Sequence, residues 1–352
     1  MTTTQPGRRR LDAGAPTPYE VPTREPRVSS PRVSRLLRLG TIALLLLGTI
    51  GSVTAIVDVP APGWLWRPSA ALLLFALAVA LTHRAGGHLR IWGSLAGLLA
   101  VSAAATGLNL LLASAAGATA VLAAVVAVMY TRPAPTTRHV LLEFGVMLVL
   151  TLSGAAGVAA WNASVNPRTF GLLVLVVSIV LTLAIVWRLG SGQHGLGRPH
   201  LKVLLAAAAV AVGLFVYASY VRTSASPGLQ NLIDDSIVWM RQNVGGVPRP
   251  YEFLIGFPAL ILGTSMRSRY REGWWVCVLA VVGTAIVTAS LIDPRAYPTY
   301  FLLSTAYSAL IALVIGLPLR AIFVRTRSSA RRAARVAQRA ARTEPGRFEP
   351  LK

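Results

Sequence analysis

Residues 169–188 read TFGLLVLVVSIVLTLAIVWR: nineteen positions without a charge, then Arg188. At about 1.5 Å per residue, this run crosses a hydrocarbon core roughly 30 Å thick as a helix. No water reaches the backbone there, so every N–H and C=O must be satisfied within the segment, and an α-helix does so. Trp187 and Arg188 at its end suit the headgroup boundary.

Runs of the same kind lie on either side, at 38–57, 67–83, 91–111, 115–131, 139–160, 201–221, 251–266, 273–292 and 299–323. The 352-residue chain is 54% hydrophobic and 13% charged, about half the roughly 25% charge of soluble domains. The fold class expected is therefore all-α, a polytopic membrane helix bundle of about ten transmembrane helices. Three regions follow. Residues 1–36 carry six prolines among arginines and too little apolar surface to fold alone, which reads as a disordered basic cytoplasmic tail. Residues 37–324 form the bundle, and 325–352 a second basic cytoplasmic tail. Alanine and glycine are dense in the third, fourth and fifth runs, so these are expected to form the packed interior.

Charge sets the orientation. With the N-terminus inside, 28 of the 34 basic residues fall on inner segments and six on outer ones, and every inner loop is positive. Both termini are then cytoplasmic. The same spread over tails and alternate loops argues against nucleic acid as a partner despite a net charge of +22. The partner expected is the lipid bilayer, with anionic lipids at the arginines between Arg325 and Arg342. Only Lys202 and Lys352 are lysine, an arginine bias that points to a GC-rich bacterial genome and so to a bacterial cytoplasmic membrane. A single cysteine, Cys277, leaves no intramolecular disulfide and no Cys-based zinc site. No cofactor and no metal are expected. Gly190-Ser-Gly-Gln-His-Gly195 spells a dinucleotide fingerprint, but it lies between two membrane runs rather than in a βαβ unit and reads as a linker.

The one sizeable outer segment is 222–250. Ser226-Pro227 forms a helix start, Leu229, Leu232, Ile233, Ile237 and Met240 recur at helical spacing, and Gly245-Gly246 ends the pattern. An amphipathic helix over 226–245 is expected, as a surface connector or as a lid. The run after it is short and broken by Gly256-Phe257-Pro258. Interrupted spans of this kind mark binding sites in transporters.

Candidate site residues gather on the outer side: Arg249 and Glu252 at the head of the broken span, Arg241, Asp234 and Asp235 on the amphipathic segment, and Asp293, Arg295 and Asp58 in other outer loops. Arginines hold phosphate or carboxylate bidentately, and carboxylates can serve as bases or hold cations. Such a set fits a lipid-linked sugar phosphate; ordinary polar loops with interfacial aromatics account for it as well. Glu143, four residues after His139 near the inner start of its run, is either a proton relay or a carboxylate placed favourably on a helix dipole.

The stretch 231–263, with Arg249-Pro-Tyr-Glu-Phe-Leu-Ile-Gly256 followed by Phe257-Pro-Ala-Leu260, resembles one uncharacterised family of bacterial multi-pass membrane proteins. Members of that family accompany pyruvyl-transfer enzymes acting on cell-wall polysaccharides, and they look longer, with a large extracytoplasmic domain. The resemblance covers about a tenth of the chain and carries over no catalytic residue. It points toward envelope glycan work and no further; the leading expectation is a non-enzymatic or accessory membrane component of cell-envelope polysaccharide assembly that handles a lipid-linked intermediate, with polyprenyl-linked glycan or envelope-assembly proteins as partners. Two alternatives stand beside it. One is a small-solute secondary transporter, from the helix count and the broken span. The other is a polyprenyl-phosphate-dependent membrane glycosyltransferase, from Asp58 in the first outer loop.

Overall fold

The computed structural model describes residues 31–57, 62–189, 213, 226–268, 273–293, 297–325 and 344–351. Ten α-helices and no strand occur among them: α1 (Pro31–Val53), α2 (Trp66–Arg84), α3 (Leu89–Thr106), α4 (Asn109–Met129), α5 (Thr137–Trp161), α6 (Pro167–Arg188), α7 (Pro227–Asn243), α8 (Phe257–Arg267), α9 (Gly273–Ala289) and α10 (Pro298–Arg325). Residues up to Leu39 count as a separate unit, and the packing below is that of residues from Gly40 onward.

Among the described residues, eight helices are long and apolar enough to cross a membrane: α1 to α6, α9 and α10. The protein is a multi-pass, all-α membrane helix bundle. Apart from Gly213, the expected seventh span, 201–221, lies outside the described residues, as does the Gly190–Gly195 linker. The eighth is built differently from its neighbours. A π turn over Glu252–Gly256 leads directly into the eleven residues of α8. Pro258 explains the interruption: it has no N–H to return to the fourth residue before it, and the ladder widens just ahead of it.

This interrupted segment still joins the two ends of the bundle. Arg249 at its head bonds to Ser308 early in α10, while Arg320, three turns further on, bonds to Ser265 near its foot. The segment and α10 therefore run parallel, as successive outward-to-inward spans must when α9 returns between them. The foot, with Arg84, Arg132 and Arg320, is the end that charge bias assigns to the cytoplasm. This is the basic end of the bundle.

The packed centre differs from the one expected. In α9, 78% of the most apolar stretch is buried, and in α4 and α5 67% and 56%, but in α3 only 17%. Small residues allow close approach without dictating how many neighbours a helix has. α3 packs chiefly on α2 and exposes Leu95, Leu98 and Val101. α9 takes the centre, touching α4, α5, α6, α8 and the π turn. Glycines permit this. A Cβ on Gly263 would lie 2.9 Å from the Cys277 nitrogen, and one on Gly154 would meet Ala123 of α4. Inside, Trp161 donates its indole N–H to Thr119 at 2.9 Å. Exposed leucines and valines on α1, α3, α6 and α10 form the lipid-facing surface.

Candidate functional site

Three places concentrate polar or unfilled structure. The first is the head of the broken span. α7 ends at Asn243, and Gly245 turns the chain at φ +74°, a left-handed conformation that favours glycine. The chain then follows α10. Ser304 and Ser308, one turn apart, accept the backbone N–H groups of Val247 and Arg249 at 3.1 and 2.8 Å, and the Tyr307 hydroxyl donates to the Val244 carbonyl. Held in this way, Arg249 donates Nη1–H to Glu252 Oε1 at 2.8 Å and lies over the Phe301 ring. Glu252 is completely buried, and its Oε2 has no hydrogen-bond partner; nor has the buried hydroxyl of Thr305. A carboxylate buried within a membrane segment is costly, and the Arg249 guanidinium offsets part of that cost.

The expected outer cluster is only partly assembled. Arg241 stacks on Tyr300, next to the Phe301 that receives Arg249, so these two arginines share one stretch of α10. Asp234 and Asp235 are exposed on α7, which also exposes Leu232, Val238 and Trp239. Asp293 closes the short 3-10 turn after α9, half-buried. Asp58 and Arg295 lie outside the described residues. Among the described residues no group of three His, Cys, Asp or Glu side chains could hold a metal ion.

The second place is the basic end. Arg84, 1% exposed, donates Nε–H to the Met129 carbonyl at 3.1 Å and Nη1–H to the carbonyls of Gly346 and Glu349 at 2.6 and 2.7 Å. Arg267 donates to the Thr131 hydroxyl and carbonyl, both at 2.9 Å, and to both oxygens of Glu344, at 2.6 and 3.3 Å. Its guanidinium stacks 3.5 Å from the Trp274 ring centre. Glu143 accepts the Arg132 backbone N–H at 2.9 Å and Arg347 Nη2–H at 2.7 Å. Burial draws the Arg347 guanidinium below its ordinary pKa, and the Glu143 carboxylate opposes the shift. Phe348 meets Tyr130 edge-on, and Leu351 N–H reaches the Arg84 carbonyl at 2.9 Å. Glu344–Leu351 thus lies as a strap across α2, the 130–136 loop, α5 and α8.

The third is a groove of about 990 Å³ between α3 and α6, floored by α2 and α4. Gly117, Val121, Phe170, Val177 and Leu181 represent its apolar lining, Asn166 and Thr169 sit at one end and Arg188 at the other. It follows α6 for the helix's whole length, about 33 Å. Its volume stands at the top of the roughly 300–1,000 Å³ usual for ligand sites.

Comparison with protein-family models, curated proteins and solved structures finds no match.

Sequence reasoning picked out Arg249 and Glu252 and missed the strap and the groove. Arg84, Arg267 and Arg320 read as topology markers. The available signal was Glu344 and Glu349, the two acids after Asp293, standing with Phe348 and Leu351 beyond an arginine-rich run. The groove had no local signal, because its lining is spread over four helices between Ala78 and Arg188.

Proposed function

We propose that this protein binds the hydrocarbon chain of a lipid-linked intermediate and serves as an accessory component of cell-envelope polysaccharide assembly in a bacterial cytoplasmic membrane. The groove between α3 and α6 carries the reading, since it is apolar along its length and runs the depth of a bilayer. A lipid tail gains no hydrophobic energy by leaving other tails for such a groove. Selection must come from shape and from the head, and Arg188 at the basic end fits a phosphate. The resemblance of 231–263 to proteins that accompany polysaccharide pyruvylation points the same way.

The test is a filled groove. A Cβ on Gly117 would meet only the Phe170 ring, at 3.8 Å, so Gly117→Leu projects its side chain into the groove with the backbone unmoved. Native mass spectrometry of the wild type in nanodiscs should show a co-isolated polyprenyl phosphate or acyl lipid, lost in Gly117→Leu. A deletion strain should have altered envelope glycan, unrescued by that variant at normal membrane level. Absence of any bound lipid, with cross-links from a cysteine at 117 to cysteines in 201–221, would overturn the reading.

One observation favours a second reading, a small-solute transporter. The interrupted span carries a partly buried ion pair at each end, Arg249–Glu252 and Arg267–Glu344, an arrangement suited to alternate opening. Altered solute uptake beside an unchanged glycan profile in the deletion strain would select it.

A further inference from the structure

Arg84 and Arg267 are buried at the foot of the bundle, and the carboxylate that reaches either guanidinium among the described residues is Glu344's, from the strap. Glu143, the nearby acid of the bundle itself, is taken up by Arg132 and Arg347. Without the strap, two desolvated guanidiniums face the basic end with no anion, a costly state unless another anion replaces it. Arg84 Nη2 is buried and lacks a hydrogen-bond partner even with the strap in place. The strap therefore fills the position without using all its donors. What it offers is a fork-matched carboxylate on Arg267 and two carbonyl oxygens on Arg84 Nη1, the pattern of acceptors a phosphate or carboxylate ligand presents. The remaining strap contacts, Phe348 on Tyr130 and Leu351 in its buried seat, hold it from the sides.

We propose that Arg84 and Arg267 form an oxyanion-binding site on the basic end of the bundle, and that Glu344–Leu351 is its built-in occupant, displaced when a phosphate- or carboxylate-bearing ligand binds. This site is separate from the groove and stands whether or not the groove takes a lipid.

The test uses the full chain in nanodiscs of neutral phosphatidylcholine, with inorganic pyrophosphate and citrate as probes. The double variant Glu344→Gln/Phe348→Ala loosens the strap while leaving the helices intact, which an unchanged size-exclusion profile checks. At least one probe should bind it tenfold or more tightly than the wild type by calorimetry, and adding Arg84→Gln should remove the gain. Saturating probe should also lower hydrogen-exchange protection of 344–351 in the wild type. Replacing half of the phosphatidylcholine with phosphatidylglycerol, without probe, separates the sources: loss of protection there assigns the site to a lipid headgroup, and retention assigns it to a soluble anion. Equal affinity of wild type and double variant for both probes, or no binding by either, with protection unmoved in both lipids, would make the strap a fixed clasp and overturn the proposal.

Discussion

Gly256 and Gly283 meet backbone against backbone, so closely that a Cβ on Gly256 would lie 2.5 Å from both the Cα and the nitrogen of Gly283. The relation is not symmetrical. A Cβ on Gly283 would lie 3.1 Å from the Gly256 Cα and just over 3 Å from the Phe257 ring, which can tilt. Gly256→Ala must therefore push the π turn off α9, whereas Gly283→Ala needs only a small adjustment. Overpacking of this kind costs about 1–3 kcal/mol. Thermal unfolding in detergent should place Gly256→Ala well below wild type and Gly283→Ala between the two. Equal effects would mean that the contact yields as readily from either side.

The Arg249–Glu252 pair permits a separation of stability from function. Arg249→Ala leaves Glu252 buried without its cation, a change that typically costs about 3–5 kcal/mol. Arg249→Met with Glu252→Gln removes both charges and should recover much of that loss in melting temperature. If the pair does chemistry or binding, the double variant will be stable yet unable to rescue a deletion strain. Full rescue at normal membrane level would make the pair structural.

Thr119 and Trp161 should show thermodynamic coupling. Thr119→Val strands a buried indole N–H, at a cost of about 1–3 kcal/mol. Introducing Trp161→Phe first removes the donor, and Thr119→Val should then cost less. Additive losses in unfolding midpoints would refute the coupling.

Topology is open to reporter fusions. Fusions after Arg90 and Arg138 should report cytoplasm, and fusions within 162–168 and 226–248 the opposite side. A cytoplasmic signal from 226–248 would contradict a crossing by the span from Glu252 to Arg267.

What was legible in the sequence was what the bilayer itself enforces. Length and apolarity located eight long helices, because a spanning segment has to satisfy its own backbone. The helix breaks at Gly256 and Pro258 were readable for the same local reason. α1 starts at Pro31, inside the tail expected over 1–36, since its amphiphilic first turns extend the helix beyond the apolar run. Arg249 and Glu252 are three residues apart and were paired easily. The burial of Glu252 was not readable, because the wall beside it comes from α10, with Ser308 some 59 positions beyond Arg249. The place of α9 at the centre was hidden likewise: apolar content does not distinguish a helix facing lipid from one facing other helices. At the basic end, charge bias explained the arginines sufficiently for topology, which concealed that two of them are buried and bound to a distant segment.

The strap also has an implication for the order of assembly. Synthesis delivers residues 344–351 after every helix described here, so Arg84 and Arg267 must enter the membrane before Glu344 and its neighbouring carbonyls exist. Until then Met129 and Thr131 serve the two guanidiniums in part, and the remaining guanidinium donors have only water, lipid phosphate or a helper protein to turn to. Docking of the strap therefore follows the synthesis of those helices. A chain that stalls before Glu344 would present Arg84 and Arg267 at the membrane surface without the strap's carboxylate and carbonyl oxygens.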